Sequence, residues 1–121
     1  MRKLVIYTLL FFCHVIMAQS ASEAESLFNS KQYTKAKTMY EALLKRKPND
    51  ALNNYRLARC YYELNQYEDA VKYFERSGNR YTLKDLYLGE AYFHTYRFDL
   101  SVSAYQTFIA TLTPTDEGLR S

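Results

Sequence analysis

Pairs of residues recur in this sequence at a fixed separation, and that period constrains the fold more than any other feature. The separation of Ala36 from Ala70 equals that of Tyr40 from Phe74. A repeat of this length is typical of helical hairpins that cannot bury their apolar faces alone, so that neighbouring hairpins must stack and cover one another. The period therefore predicts an array of stacked helices.

The period becomes shorter by three positions between the second and third units. Leu57 is followed by Leu88, and Tyr61 by Tyr92, at this shorter separation. We expect the three missing residues to come from the connection near Gly78, because the helical patterns on either side of it are intact. The chain is thus predicted to hold three units, at about residues 21–50, 51–81 and 82–114.

Small residues predict where the two helices of a hairpin touch. Ala58 and Ala70 have so little side chain that two helix backbones can approach closely there. Gly89 and Ser101 occupy the equivalent positions one unit later. We predict close contact within both pairs. The predicted helices cover residues 21–30, 34–46, 51–64, 67–77, 81–95 and 98–112.

These patterns resemble the tetratricopeptide repeat, whose signature is W-x2-L-G-x2-Y, then A-x3-F, then Pro. The middle unit has Asn54-x2-Leu57-Ala58-x2-Tyr61 and Ala70-x3-Phe74, the third has Asp85-x2-Leu88-Gly89-x2-Tyr92 and Ser101-x3-Tyr105, and the first has Ala24-x2-Leu27, Ala36-x3-Tyr40 and Pro48. The Trp is missing from all three units, and the middle unit lacks the closing Pro. The resemblance implies an all-α fold, a helical-hairpin solenoid of three repeats that acts by binding another protein or a peptide.

The first twenty residues have a different composition. Arg2 and Lys3 precede an apolar run that ends at Ala18, and small residues follow it. This order is typical of a secretory signal peptide. An uncleaved anchor is the alternative, although a membrane span needs about 20 apolar residues. We therefore predict a signal peptide at residues 1–20, export across the inner membrane, and a periplasmic or outer-membrane-associated location.

Charge and residue types argue against nucleic-acid binding and catalysis. The chain has 16 Lys and Arg residues against 13 Asp and Glu. They are interleaved, so no basic stripe is available to bind a nucleic acid. Cys60 and His94 lack neighbours at the spacing of a metal or catalytic site. We expect Cys60 to be a small buried residue, His94 to pair with Glu90 at the surface, and the protein to have no catalytic activity, metal or cofactor.

The resemblance implies that the first helix of each hairpin lines a concave surface. The residues predicted to contact a partner there are Leu52, Tyr55, Arg59, Tyr62, Leu86, Glu90 and Phe93, with Phe28 in the first unit. Tyr and Arg are frequent at the centres of interfaces, but a Tyr stripe can equally pack between neighbouring units. Glu25 and Glu90 occupy the positions equivalent to Arg59, so we expect an extended peptide of mixed or apolar character and not a clamp for a terminal carboxylate.

The last predicted helix is unusually apolar for the end of a repeat array, which normally has a polar face. Its large apolar residues are Leu100, Val102, Phe108, Ile109 and Leu112. Pro114 should end the helix, and residues 115–121 are expected to be disordered. We interpret the uncapped helix as a docking site for a partner, a second copy or further chain. The overall expectation is an interaction scaffold or adaptor in the cell envelope; the alternative is a carrier of a small apolar or cell-wall-derived ligand between repeats.

Overall fold

The computed structural model describes residues 2–113, apart from the side chains of residues 16–19. Its secondary structure in that range is six α-helices: α1 (Arg2–Asn29), α2 (Tyr33–Arg46), α3 (Ala51–Glu63), α4 (Tyr67–Arg76), α5 (Lys84–His94) and α6 (Phe98–Leu112). Each helix packs against the next in chain order, which makes three hairpins. The all-α prediction is confirmed. The predicted stop at Pro114 and the predicted disorder of residues 115–121 lie outside the described residues.

The turn inside each hairpin has the same backbone geometry. Lys31, Asn65 and Tyr96 have φ angles of 61°, 59° and 61°. The residue after each turn donates its amide back to the helix that has just ended, as Gln66 does to the carbonyl of Tyr61 at 2.8 Å. This is the Schellman arrangement, which ends a helix on a left-handed residue. The three positions follow the spacing of the repeat, so the turns belong to it.

Small residues hold the two helices of a hairpin together, as the sequence predicted. Ala58 and Ala70 are both fully buried in one cluster. In the third hairpin the Ser101 hydroxyl donates to the carbonyl oxygen of Gly89 at 2.7 Å. A Cβ on Gly89 would lie 2.8 Å from ring carbons of Tyr105, too close for any side chain at the present helix separation.

The core consists of two buried clusters, one for each junction between hairpins. The first contains Ala24, Ala36, Tyr40, Leu43, Leu44, Leu57 and Cys60. The second contains Ala58, Ala70, Val71, Phe74, Leu88, Ala91, Tyr92 and Ala104. Tyr61 and Tyr73 pack against both clusters, and their stacked rings lie 5.5 Å apart between centroids. Because the clusters share these two residues, the hairpins form one continuous core.

The first helix is longer than the sequence predicted. We expected a separate segment up to residue 20 and a short helix from Ala21, whereas α1 runs without a break from Arg2 to Asn29. Nothing interrupts it, because this stretch contains no Gly or Pro. The large apolar side chains between Leu4 and Val15 are exposed. By length and composition α1 could cross a membrane, a test that a signal sequence near an N-terminus also passes.

The fifth helix begins later than predicted, at Lys84 and not at residue 81. The shortened connection places Tyr81 against Tyr55, with ring centroids 4.4 Å apart. A turn follows, in which the amide of Lys84 donates to the carbonyl of Tyr81 at 3.0 Å. Tyr81 therefore belongs to the packing between hairpins and not to α5.

Candidate functional site

The first helices of the three hairpins, α1, α3 and α5, meet through a set of aromatic and charged side chains. Arg59 of α3 lies at the centre, since its guanidinium is 3.9 Å from the ring centroid of Tyr87 on α5 and 5.9 Å from that of Phe28 on α1. We call the face that carries Phe28, Arg59 and Tyr87 the first-helix surface. One cation between two rings ties all three hairpins together.

Arg59 is held on several sides. Its Nη2 pairs with Glu63 one helical turn later at 3.0 Å, and 16% of its side chain is exposed. Its Nε atom is buried and has no hydrogen-bond acceptor among the described residues. A buried guanidinium donor without an acceptor is costly. The guanidinium is therefore fixed by contacts within the protein, and little of it is open to a partner.

The two tyrosines predicted beside Arg59 are engaged in packing between units. The Tyr55 ring stacks on Tyr81 and meets Phe74 edge to face. The Tyr62 hydroxyl donates to Glu90 of α5, and its ring meets Tyr87 edge to face with centroids 4.9 Å apart. Of the two roles that the sequence left open for these tyrosines, their contacts favour packing between units.

Other predicted contact residues are more accessible. Leu52 of α3 and Phe93 of α5 are 45% and 53% exposed. Leu86 and Glu90 are partly buried. Glu90 accepts from Tyr62 and lies 3.9 Å from His94 Nε2, a pair that the sequence predicted and that lies at the surface. The apolar side chains open to a partner on these helices are therefore Leu52 and Phe93.

The sequence reasoning missed two residues of this surface, Arg56 and Tyr87. The Arg56 guanidinium lies 4.8 Å from the Phe28 ring centroid, and Tyr87 contacts both Arg59 and Tyr62. The two occupy equivalent repeat positions in successive first helices. Each packs on the preceding first helix. The spacing of the repeat could have identified both residues, had it been applied to every position of the helix.

Charges on the first-helix surface are nearly balanced. Arg56 pairs with Glu25 at 3.4 Å and Arg59 pairs with Glu63 at 3.0 Å. Glu90 is hydrogen-bonded to a neutral tyrosine, and burial together with this hydrogen bond raises the pKa of Tyr62. A surface whose arginines already have carboxylate partners has little excess positive charge with which to hold a terminal carboxylate.

Features of a metal or catalytic site do not appear in the described part of the chain. No group of three or more His, Cys, Asp or Glu residues within residues 2–113 could hold a metal ion. Cys60 is fully buried, and burial raises the pKa of its thiol to about 12. A thiol that stays protonated is a poor nucleophile. The imidazole of His94 stacks on Tyr67, with ring centroids 4.1 Å apart.

A cavity of about 360 Å³ opens between α2, α3 and α4. Its lining combines apolar and charged residues: Glu41, Leu44, Lys45, Pro48, Asn54, Leu57, Tyr61, Tyr73 and Arg76. An apolar ligand would have to be enclosed mainly by hydrophobic side chains. This cavity does not favour the alternative prediction of an apolar carrier.

Comparisons with known proteins agree with this architecture. Residues 18–83, more than half of the chain, match a family model described as tetratricopeptide repeat. The chain is similar to the second TPR of Spaghetti (RPAP3), solved bound to the HSP90 peptide SRMEEVD, with a TM-score of 0.69 and 16% identity over 78% of this chain and 90% of that one. No curated protein matches the chain.

A second similar structure is the C-terminal part of a TPR repeat-containing protein from Cytophaga hutchinsonii. The TM-score is 0.68 and the identity 26%, over 74% of this chain and 37% of that one. This chain thus spans little more than a third of that solved protein. With the helix order and the close contacts above, the two likenesses confirm the predicted solenoid of helical hairpins.

Proposed function

The chain belongs to the tetratricopeptide repeat family, and from that premise we propose that it is an interaction scaffold that binds an extended peptide segment of another protein along the first-helix surface. The observation that carries the proposal is the pair of exposed apolar side chains, Leu52 of α3 and Phe93 of α5, on neighbouring first helices that the Arg59 guanidinium links.

The structural likeness supports a peptide as the partner. The similar domain of Spaghetti was solved with an HSP90 peptide bound. At 16% identity the likeness itself extends to the fold alone, so the chemistry of the segment must come from the residues of this chain. The comparison does not identify the HSP90 peptide as a ligand of this chain.

The surface fits a segment of mixed or apolar character. Leu52 and Phe93 offer exposed apolar contact on neighbouring first helices. The Arg59–Glu63 ion pair adds one donor group and one acceptor group. Because both arginines already pair with carboxylates, a strongly acidic peptide gains little. We expect the acidic peptide SRMEEVD to bind this chain much more weakly than a segment with apolar side chains.

Selection from a random peptide library, with the chain immobilised, tests this proposal. The selected peptides should be rich in apolar residues, and their affinity should fall about tenfold or more, equivalent to about 1.4 kcal/mol, in Leu52→Ala and Phe93→Ala variants. Both side chains are exposed, so these variants should keep the circular dichroism spectrum of the parent.

The matched control is Leu100→Ala on α6, which removes an exposed apolar side chain that is not part of the first-helix surface. Selected peptides should bind this variant as tightly as the parent. Peptides that bind equally well to the Leu52, Phe93 and parent proteins would show that the surface is wrongly assigned, and a selection that enriches only acidic peptides would contradict the proposed chemistry.

We also propose that the scaffold acts in the cell envelope after removal of residues 1–20 as a signal peptide. The support is the basic start, the apolar run and the small residues at Ala18-Gln19-Ser20. Expression in a bacterial host followed by N-terminal sequencing of the periplasmic and membrane fractions tests it. A mature chain that begins near residue 20 is the expected result, and an intact chain confined to the cytoplasm would contradict it.

A further inference from the structure

One hydrogen bond recurs at both junctions between hairpins. The Tyr61 hydroxyl of α3 donates to Glu41 of α2 at 2.8 Å, and the Tyr92 hydroxyl of α5 donates to Glu75 of α4 at 2.6 Å. The two glutamates are separated by the longer of the two repeat spacings and the two tyrosines by the shorter, so all four follow the repeat. Each first helix is thus locked to the second helix that precedes it.

The two covering helices share a pattern around that tyrosine. In α3 it is Leu57-x2-Cys60-Tyr61, and in α5 it is Leu88-x2-Ala91-Tyr92. The Leu and the small residue are buried in both helices. A helix that covers a second helix in this protein therefore presents Leu, then a small residue three positions later, then Tyr.

The outer face of α6 carries two residues, Val102 and Ile109, at positions that are buried at an internal junction. Val71 of α4 is 2% exposed under α5, whereas Val102, its equivalent on α6, is 56% exposed. Ile109 is 57% exposed, whereas its equivalent on α2, Leu44, is 8% exposed. Leu112, one turn further along α6, is 61% exposed. Gln106 stands at the position of Glu75 and carries a side-chain carbonyl that can accept a tyrosine hydroxyl. We call the face with Val102, Gln106, Ile109 and Leu112 the α6 outer face.

We propose that the α6 outer face binds a helical hairpin of a partner protein whose first helix carries Leu-x2-small-Tyr, with the Tyr hydroxyl donating to Gln106. The proposal goes beyond peptide binding on the first-helix surface and uses a different set of residues. It rests on the two internal junctions, where the same arrangement of positions is covered by such a helix.

The chain's own exposed segments do not match this requirement. On α1 the equivalent positions are Glu23, Ser26 and Leu27, which supply neither the Leu nor the Tyr of the pattern. Tyr7, in the exposed run from Leu4 to Val15, has Lys3 where the pattern needs Leu. The matching helices α3 and α5 are already buried within the protein. Residues 114–121 contain one large apolar residue, Leu119, and no Tyr. A partner hairpin therefore fits this face better than α1 of a second copy or residues 114–121 do.

Fluorescence anisotropy with the full chain tests the proposal. The probe is a labelled peptide with the sequence of residues 48–78, which carries the Leu57-x2-Cys60-Tyr61 pattern in a hairpin. We expect saturable binding that weakens at least tenfold with Ile109→Asp in the chain. A Tyr61→Phe probe should bind about three- to tenfold more weakly to the parent chain, and this difference should vanish in a Gln106→Leu chain. Leu52→Ala, which weakens peptide binding on the first-helix surface, should leave probe binding unchanged.

A fused chain covers the case in which the isolated probe does not fold. Leu112 is equivalent to Lys47 in the repeat, so residues 1–112 followed by a copy of residues 48–78 reproduce the spacing of the first junction. The fused chain should melt several degrees above the parent, and Ile109→Asp should remove that gain. The proposal would be overturned if the fused chain showed no gain in melting temperature, or if the Ile109→Asp chain bound the probe as tightly as the parent. It would also be overturned if light scattering showed a dimer of the parent that Ile109→Asp dissociates, because a second copy would then occupy the face.

Discussion

The two junctions between hairpins use the same hydrogen bond but different packing. At the first junction α2 contributes Leu43 and Leu44 to the buried cluster, whereas the equivalent residues at the second junction are Ser77 and Gly78, which follow the end of α4. Both junctions keep a Tyr-to-Glu bond between the same positions. The comparison teaches that one hydrogen bond is kept between equivalent positions of neighbouring hairpins, while the residues that fill the space around it can change.

The position that precedes the first helix of a hairpin also differs between the two junctions. Asp50 precedes α3, and its Oδ1 accepts from the amide of Asn53 at 2.9 Å, which caps the helix. The equivalent residue before α5 is Tyr81, which stacks on Tyr55. At the first junction this position fixes the start of a helix, and at the second it adds apolar contact between hairpins where the connection is three residues shorter.

Phe74→Ala should have the largest effect, because it breaks the second junction at its most buried large side chain. Phe74 is fully buried and meets Tyr55 and Tyr87 of the two neighbouring first helices. We expect a loss of about 3–5 kcal/mol in the free energy of unfolding, measured by urea denaturation. Leu83→Ala, an exposed leucine close to the same junction, should change stability by less than about 0.5 kcal/mol. A Phe74→Ala loss below about 1 kcal/mol would mean that this junction is not closely packed.

Gly89→Ala should have the next largest effect of a single substitution on stability, and this effect should distinguish the third hairpin from the second. The new Cβ would lie 2.8 Å from carbons of the Tyr105 ring, whereas Ala58 is accommodated at the equivalent position of the second hairpin. Overpacking of this kind costs about 1–3 kcal/mol, partly offset by the roughly 1 kcal/mol better helix propensity of Ala. Thermal melts of the parent and variant measure the difference. A Gly89→Ala protein as stable as the parent would show that the Tyr105 ring can move aside.

Most of the fold could be predicted from the sequence because the repeat marks its own positions. The small pairs Ala58–Ala70 and Gly89–Ser101 marked where the helices of a hairpin pack together, and the five helices α2 to α6 begin and end within three residues of their predicted bounds. The start of α5 was missed because Tyr81 is helix-compatible in sequence and is removed from the helix by its stacking on Tyr55. A contact between distant residues of this kind leaves no local signal.

The candidate site was less predictable for the same reason. Helical spacing placed Tyr55, Arg59 and Tyr62 on one stripe. It could not show which of these residues a neighbouring hairpin would contact. That depends on Tyr81, Tyr87 and other residues that approach from outside the helix. Local periodicity identifies a face, and only the packing of the next unit decides how much of that face remains open to a partner.

Removing the shared hydrogen bond should weaken both junctions to a similar extent. Tyr61→Phe and Tyr92→Phe keep the ring and lose the hydroxyl that donates to Glu41 or Glu75. We expect each to cost about 1–1.5 kcal/mol, the usual contribution of a hydrogen bond. The double variant should cost the sum of the two, since the bonds lie at separate junctions. A loss at one junction and none at the other would contradict a common role for the bond at the two junctions.

The same tyrosines should make the protein sensitive to alkaline pH. Burial, together with the hydrogen bond to a carboxylate, raises the pKa of Tyr61 and of Tyr92. Each tyrosine therefore keeps its proton in the folded state at pH values where the unfolded chain, with a pKa near 10, releases it. The contribution of these two tyrosines to stability should be constant below about pH 9 and should fall as the pH rises above about 10. Urea titrations at increasing pH measure this slope, and the double Phe variant should show a shallower one.

The smallest expected effect concerns the cap that only the first junction has. Asp50→Ala removes the acceptor for the amide of Asn53 and should cost about 1 kcal/mol or less, whereas Asp50→Asn, which keeps an acceptor, should retain most of that stability. The loss should appear as faster hydrogen exchange at the first turn of α3 and leave the first turn of α5 unchanged, because the residue before α5 makes no side-chain cap. Equal changes at both helix starts would mean that the two junctions unfold as one unit, and the different roles of Asp50 and Tyr81 would then have no separate effect on stability.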